Sequence, residues 1–293
     1  MLGTGVSVLA NPIDSLETRE DVVAFLDKLE ISCVLATDSL SAPCTEMPAS
    51  PAWVRADVNR DGLLDLVVNG RQDKRFTSVV LLGANSMDDI QQVTFATHPG
   101  KPCVLLDVVG TQPQELLLHE LKRVPSDDPT KLFTYETHYK KDTLRYFHDT
   151  FLPVNDRPPV AIECIELKTS GCFGTCPVYR ITFSDDGKVI FNASYHNKGL
   201  YGKYKSRLSA EDWEVLASLV NQYDLSQPYS KYEVPWTDDE TMQTIITTAS
   251  GQQVKVHDYG GKGDLVLERF YAWVTKIIAS HDWKRIKKKP EYR

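Results

Sequence analysis

Asp57-Val58-Asn59-Arg60-Asp61-Gly62-Leu63-Leu64-Asp65 runs without a break into Leu66-Val67-Val68. Oxygen-bearing side chains stand at alternate residues, a glycine follows, another carboxylate closes the run, and an apolar stretch takes over. Calcium is a hard cation that takes about six to eight oxygens in a flexible shell. Asp57, Asn59 and Asp61 can supply side-chain oxygens, Leu63 a main-chain carbonyl and Asp65 the closing carboxylate. Gly62 permits the turn that folds such a loop inward. The expectation is one structural Ca2+ on a loop that feeds a β-strand. An EF-hand is excluded: it needs a glutamate at about the twelfth loop position, and counting from Asp57 that position is Val68. Without an ion the same residues make a polar Asx-rich turn.

The strand after this loop sets the pattern of the first half. Within residues 34–110, strand-like runs fall at 53–58, 63–69, 78–83, 91–96 and 104–109, rich in β-branched and aromatic side chains. Residues 114–121 and 143–151 read as a further strand pair, with a turn-rich acidic loop at 125–129 between them. Ahead of all these, residues 18–29 read as a helix. Thr18 and Asp21 can form a capping box, and Val22, Phe25, Leu26 and Leu29 share one face.

Pro153 to Pro159 interrupts the pattern. Paired prolines hold the backbone extended and disfavour helix, so the chain is expected to divide into domains at 1–155 and 156–293. In the second half, strands are expected at 160–167 and 178–184, with a hairpin turn at Asp185-Asp186-Gly187 and a returning strand at 188–195. A short strand at 204–207 follows. Ser209 caps a helix over 210–223, with Trp213, Leu216 and Val220 on one face. Residues 241–248 and 252–258 form a second hairpin around Ser250-Gly251. The last helix, 264–280, carries the stripe Leu265, Phe270, Trp273, Val274 and Ile277. The fold class is α+β: two domains of mostly antiparallel sheet with a few flanking helices.

The net charge of −7, from 33 basic and 40 acidic residues, argues against nucleic acid, which needs a basic footprint. No apolar run reaches the length of a transmembrane helix. Residues 1–10 are mildly apolar but lack the basic start of a signal peptide. The basic run from Lys284 to Lys289 reads as a solvated end. His98, His119, His138 and His148 show no ligand spacing. Tyr195, Tyr201, Tyr204, Tyr229 and Tyr232 crowd the second-half loops, as a binding surface or as strand core.

Six cysteines are present. Cys33 and Cys44 bracket the polar loop at 37–43 and are expected to form a disulfide. Cys103 and Cys164 sit in apolar runs and read as buried thiols. Cys172 and Cys176 are spaced C-x-x-x-C, unlike the C-x-x-C of thioredoxin-like centres. A structural disulfide or a buried thiol pair holding a glycine-containing turn is the favoured reading. The alternatives are half of a zinc site with Cys164 as a third ligand, and a thiol nucleophile with His257 as its base.

Two resemblances bear on function. The 57–65 loop resembles, over motif length only, the D-x-N-x-D-G-x-x-D calcium loops of FG-GAP and VCBS-type repeats. Those families repeat the loop, and here it stands once, which argues against a propeller. Residues 160–280 carry Cys172-Phe173-Gly174-Thr175-Cys176-Pro177-Val178-Tyr179, the Asp186-Gly187 hairpin, Thr237-Asp238 and Lys255-Val256-His257-Asp258-Tyr259-Gly260-Gly261. They resemble an uncharacterised bacterial domain family with a CFGxCPxY hallmark and no established activity. The resemblance implies export to the periplasm or secretion. It also groups Tyr179, Asp238, Asp258 and Tyr259 as a ligand pocket with paired carboxylates. The plainer alternative is that Asp238 caps a turn and Asp258 is held by backbone amides.

The reading that follows is a non-enzymatic, calcium-stabilised, extracytoplasmic protein that binds a protein or small molecule. A thiol-dependent enzyme or redox protein using Cys172 and Cys176 is one alternative. A cytoplasmic interaction protein without metal is another.

Overall fold

The computed structural model describes residues 11–36, 44–72, 75–97, 101–110, 114–125, 135–234 and 236–286. The expectations for residues 1–10, the 37–43 loop, most of the 125–129 turn, His98 and residues 287–289 lie outside the described residues. By its internal contacts the chain divides into two compact units, Met1–Val154 and Asn155–Arg293.

In the first unit, α1 (Arg19–Lys28) precedes β1 (Val34–Leu35), β2 (Trp53–Ala56), β3 (Asp65–Gln72), β4 (Arg75–Leu82) and β5 (Gln91–Ala96). These strands make one antiparallel sheet in which β1 and β2 share one side of β3. A second antiparallel sheet follows in simple meander order: β6 (Cys103–Val109), β7 (Glu115–Pro125), β8 (Tyr135–Phe147) and β9 (Thr150–Pro153). The helix forms as its sequence dictates. Thr18 and Asp21 complete a reciprocal capping box, and Val22, Phe25 and Leu26 bury against Leu66, Val68, Val79 and Leu81.

Strand β3 is buried from Asp65 to Gly70, because it is covered on both faces. Leu66 and Val68 face α1. The alternate residue Asn69 faces the second sheet, where its Nδ2 donates to the Leu106 carbonyl (2.7 Å) and its Oδ1 accepts from the Leu106 amide (2.8 Å). A polar side chain this deep is tolerated because its hydrogen bonds are met.

Three expectations for this unit are corrected. The run at 143–151 is not one strand: it folds over at His148-Asp149, which take φ of 38° and 62°, and β9 returns with Phe147 opposite Thr150. Positive φ at both central residues is the hairpin turn that glycine usually supplies, so the absence of glycine hid it. Cys33 and Cys44 do not pair either. Cys44 is bonded to Cys103, which is therefore buried as expected but is not a thiol, and Cys33 is a free thiol. Cys103 opens β6, where it meets Cys44, Met47 and Phe76 in a buried cluster.

The second unit holds β10 (Ile162–Thr169), β11 (Val178–Ser184), β12 (Lys188–Tyr195), β13 (Gly202–Arg207), α2 (Ala210–Asn221), β14 (Tyr229–Glu233), β15 (Thr241–Thr248), β16 (Gln253–Tyr259), α3 (Leu265–Ser280) and β17 (Lys284–Arg285). They form an eight-stranded sheet in the order β14-β16-β15-β10-β11-β12-β13-β17. All pairs are antiparallel except β14 with β16. Period-two burial runs along β10, β11, β15 and β16. On the buried side Phe183 meets Trp273 of α3 at 5.9 Å between ring centres, and α3 in turn lies against α2. Lys284 and Arg285, expected as part of a solvated end, pair with Lys205 and Tyr204.

Among the described residues, no helix is long and apolar enough to cross a membrane.

Candidate functional site

The 57–65 loop turns back on itself. Asp57 Oδ1 and Asn59 Oδ1 both accept from the Asp61 amide (3.1 and 3.2 Å), and Asp57 Oδ2 accepts from Gly62 (3.1 Å). Asp61 accepts from the Leu63 amide and from Asn59 Nδ2, each at 2.8 Å. Gly62 sits at φ 90°, the left-handed region the turn requires. Asp65 points the other way, into the protein. It is fully buried and accepts from Val58 (2.8 Å), Asn59 (3.2 Å) and Gly83 (2.8 Å). Burial pushes its carboxyl up to about 6, although these amides pull it down; the Asp61 charge adds a smaller push. Asp57, Asn59 and Asp61 therefore gather around one turn, with Asp65 behind it. Among the described residues, no group of three or more His, Cys, Asp or Glu side chains is placed to hold a metal.

The second unit concentrates its motif residues at one end of its sheet. Strands β10, β12, β14 and β16 finish there, while β11, β13 and β15 start there. Four connections meet at this end: 170–177, 196–201, 234–240 and 260–264. Cys172 and Cys176 are joined in a disulfide across the first. Cys164 lies five strand residues back along β10, roughly 17 Å away, and is a free thiol. The disulfide leaves Cys172 without a thiolate, and His257 on β16 lies near Glu233 (3.8 Å).

The disulfide loop is tied to its neighbour. The Phe173 amide donates to the Asp238 carbonyl (2.9 Å), and Ser170 and Thr241 exchange two hydrogen bonds of 2.9 Å. Asp238 takes φ 71°. The side chain of Phe173 is 93% exposed. Trp236 is partly exposed, with its indole N–H on Asp239 (3.0 Å), and Tyr195, which ends β12, and Tyr201, on the connection that follows, are exposed.

The four residues grouped by sequence take three different positions here. Tyr179 and Asp258 lie on the buried face of the sheet. Tyr259, one residue on, faces the opposite side, where its hydroxyl accepts from the Asp239 amide (3.1 Å). Asp238 is exposed, its carboxylate turned to Thr237 Oγ1 (3.2 Å). Glu240, which the sequence reading passed over, supplies the second acid. Its carboxyl is raised by burial and by the charges of Asp239 and Asp258. Tyr179 is raised by burial and then by the Glu240 charge. The signal for Glu240 was available: Thr241 opens a strand with alternating burial, which places the residue before it at the same rim as Asp258.

Asp258 accepts from the amides of Lys262 (2.7 Å) and Gly263 (3.0 Å), as the plainer alternative expected. Burial still raises its carboxyl. The Tyr271 hydroxyl is buried beside the Asp258 carboxylate and the Thr244 hydroxyl. Asp258 and Glu240 are thus desolvated acids at the end of the sheet where Phe173, Trp236 and Tyr201 stand exposed.

No curated protein and no solved structure matches the chain. Residues 163–278, which run from β10 through most of α3, match a protein family described as a domain of unknown function (DUF6438).

Proposed function

We propose that the chain is a non-enzymatic, extracytoplasmic protein of two domains, and that the second domain binds a partner at the loop end of its sheet. Phe173 carries the proposal. A large apolar side chain at 93% exposure gains nothing for the fold, yet its backbone is fixed by a disulfide and by the bond to Asp238. Rigid aromatic anchors are the residues that dominate binding energy at interfaces. Two disulfides support an oxidising compartment, where such bonds persist.

A photo-crosslinking side chain at position 173, with the same probe at position 163 on the opposite end of β10, tests the binding face. Cross-links at 173 that disappear with Trp236→Ala support it. Equal labelling at both positions removes it.

We also propose one structural Ca2+ on the first unit, held by Asp57, Asn59, Asp61, Asp65 and the Leu63 carbonyl. The turn that gathers the first three supports it, and the inward turn of Asp65 is the feature an ion would have to rearrange. Calcium at about 100 times its Kd would stabilise this unit by about 2.7 kcal/mol, and Asp61→Ala would abolish the rise in melting temperature. A melting temperature unchanged in millimolar calcium removes the ion.

A further inference from the structure

The two disulfides differ in what they hold and in how water reaches them. Cys44 and Cys103 are fully buried, and their bond spans 59 residues. Cys172 and Cys176 are partly exposed, in a connection whose intervening residues Phe173, Gly174 and Thr175 are all exposed. Their bond spans 4 residues. It closes no core: Leu167, Ile181, Phe183 and Ile246, which build the sheet's buried face, lie on strands paired independently of it. What it fixes is the connection itself, and with it the Phe173 amide on the Asp238 carbonyl.

We propose that Cys172–Cys176 is an exchangeable disulfide, opened by an external dithiol, and that its opening releases the 170–177 connection from the 236–240 loop. The inference rests on the binding-face reading, and names the chemistry that regulates that face. One thiolate of the dithiol attacks one of the two sulfurs, the S–S bond breaks, and the other cysteine leaves as a thiolate that takes a proton from water. The second thiol of the reagent then attacks the mixed disulfide. The products are two cysteine thiols and the oxidised, disulfide form of the reagent, a two-electron, two-proton exchange. Access decides which bond reacts: the partly exposed pair opens in the folded protein, and the buried pair waits for unfolding. In the open form, Phe173 keeps its exposure and loses its fixed position. A face that depends on a rigid anchor then binds more weakly, because the anchor must be ordered on contact.

The test uses the full chain under native conditions. Dithiothreitol is added, thiols are alkylated at intervals, and each cysteine is followed by peptide mass spectrometry. Cys172 and Cys176 should label at least tenfold faster than Cys44 and Cys103. Hydrogen exchange before and after reduction should show lost protection at the Phe173 amide and across residues 236–241, with the interiors of β15 and β16 unchanged. Cys172→Ser with Cys176→Ser should reproduce the open pattern without reductant. Simultaneous opening of both disulfides, or exchange at 236–241 that reduction leaves unchanged, overturns the proposal. Neither readout involves a partner, so the latch and the binding face fail separately.

Discussion

Breaking the Cys44–Cys103 bond should cost the first unit about twice what breaking Cys172–Cys176 costs the second. A cross-link stabilises mainly by removing conformations from the unfolded chain, and the effect grows with the logarithm of the loop it closes. The first bond spans 59 residues, which corresponds to about 14 cal/mol/K, or about 4 kcal/mol at room temperature. The second spans 4, corresponding to about 6 cal/mol/K, or about 2 kcal/mol. The first unit runs from Met1 to Val154, and at about 2.1 cal/mol/K per residue its unfolding entropy at the midpoint is roughly 0.3 kcal/mol/K. Loss of its bond should therefore lower its melting temperature by about 13 °C, and loss of the other bond should lower the second unit's by about 6 °C. Calorimetry on Cys44→Ala/Cys103→Ala and on Cys172→Ala/Cys176→Ala measures both drops, with hydrogen exchange assigning each transition to its unit. The alanine pair in the first unit also deletes two buried sulfurs. Wild-type protein refolded in excess reductant, which keeps the sulfur atoms, separates packing from chain entropy. If the first drop is no larger than the second, loop-closure entropy is not what these bonds contribute, and the reasoning fails.

Three further outcomes follow from buried contacts. Asn69→Leu strands the Leu106 amide and carbonyl and the Pro51 carbonyl that Asn69 now satisfies. It should destabilise the first unit by roughly 3 kcal/mol, read as a lower urea midpoint at unchanged slope; a shift below about 1 kcal/mol would show that water replaces the side chain. Gly260 sits at φ 80°, and a Cβ there would lie 2.4 Å from Val234 Cγ2. Gly260→Ala should therefore cost about 2 kcal/mol, and Val234→Ala should restore part of it; no restoration assigns the whole loss to the backbone. Glu240 is held above the ordinary carboxylate value by burial and by Asp239 and Asp258, so the folded state binds its proton more tightly than the unfolded chain does. Its contribution to stability is present below the unfolded value of about 4.3 and is lost as pH rises through the raised folded value. Glu240→Gln should flatten the fall in the second unit's melting temperature between about pH 4 and neutrality; parallel curves for both proteins would contradict the raised value.

The features legible in sequence are those that a few neighbouring residues decide. The Thr18–Asp21 box caps α1 and Ser209 caps α2, because a cap is a contact between residues three apart. The turns at Gly187 and Gly251 take the positive φ their glycines permit. Alternating burial on β10, β15 and β16 follows from the period of a pleated strand. Even the C-x-x-x-C pair was readable, since thiols that close rarely lack the chance to meet.

Contacts across long separations were not legible, because nothing local to either partner states the choice. Cys44 had a plausible neighbour in sequence at Cys33, and the fold gave it Cys103 because β6 packs beside the 44–47 turn. The His148-Asp149 hairpin needed the pairing of Phe147 with Thr150 to hold a turn without glycine. Tyr259 and Asp258 are adjacent in the chain and therefore face opposite sides of the sheet, so only one of them could join Tyr179. Glu240 took the place expected of Asp238 because it adjoins the strand that opens at Thr241, its carbonyl accepting from the Gly260 amide, whereas Asp238 lies back in the connection at φ 71°. Local chemistry chose the elements of this protein; the packing of one strand against another, an outcome of shared desolvation that no single segment encodes, chose which side chains meet.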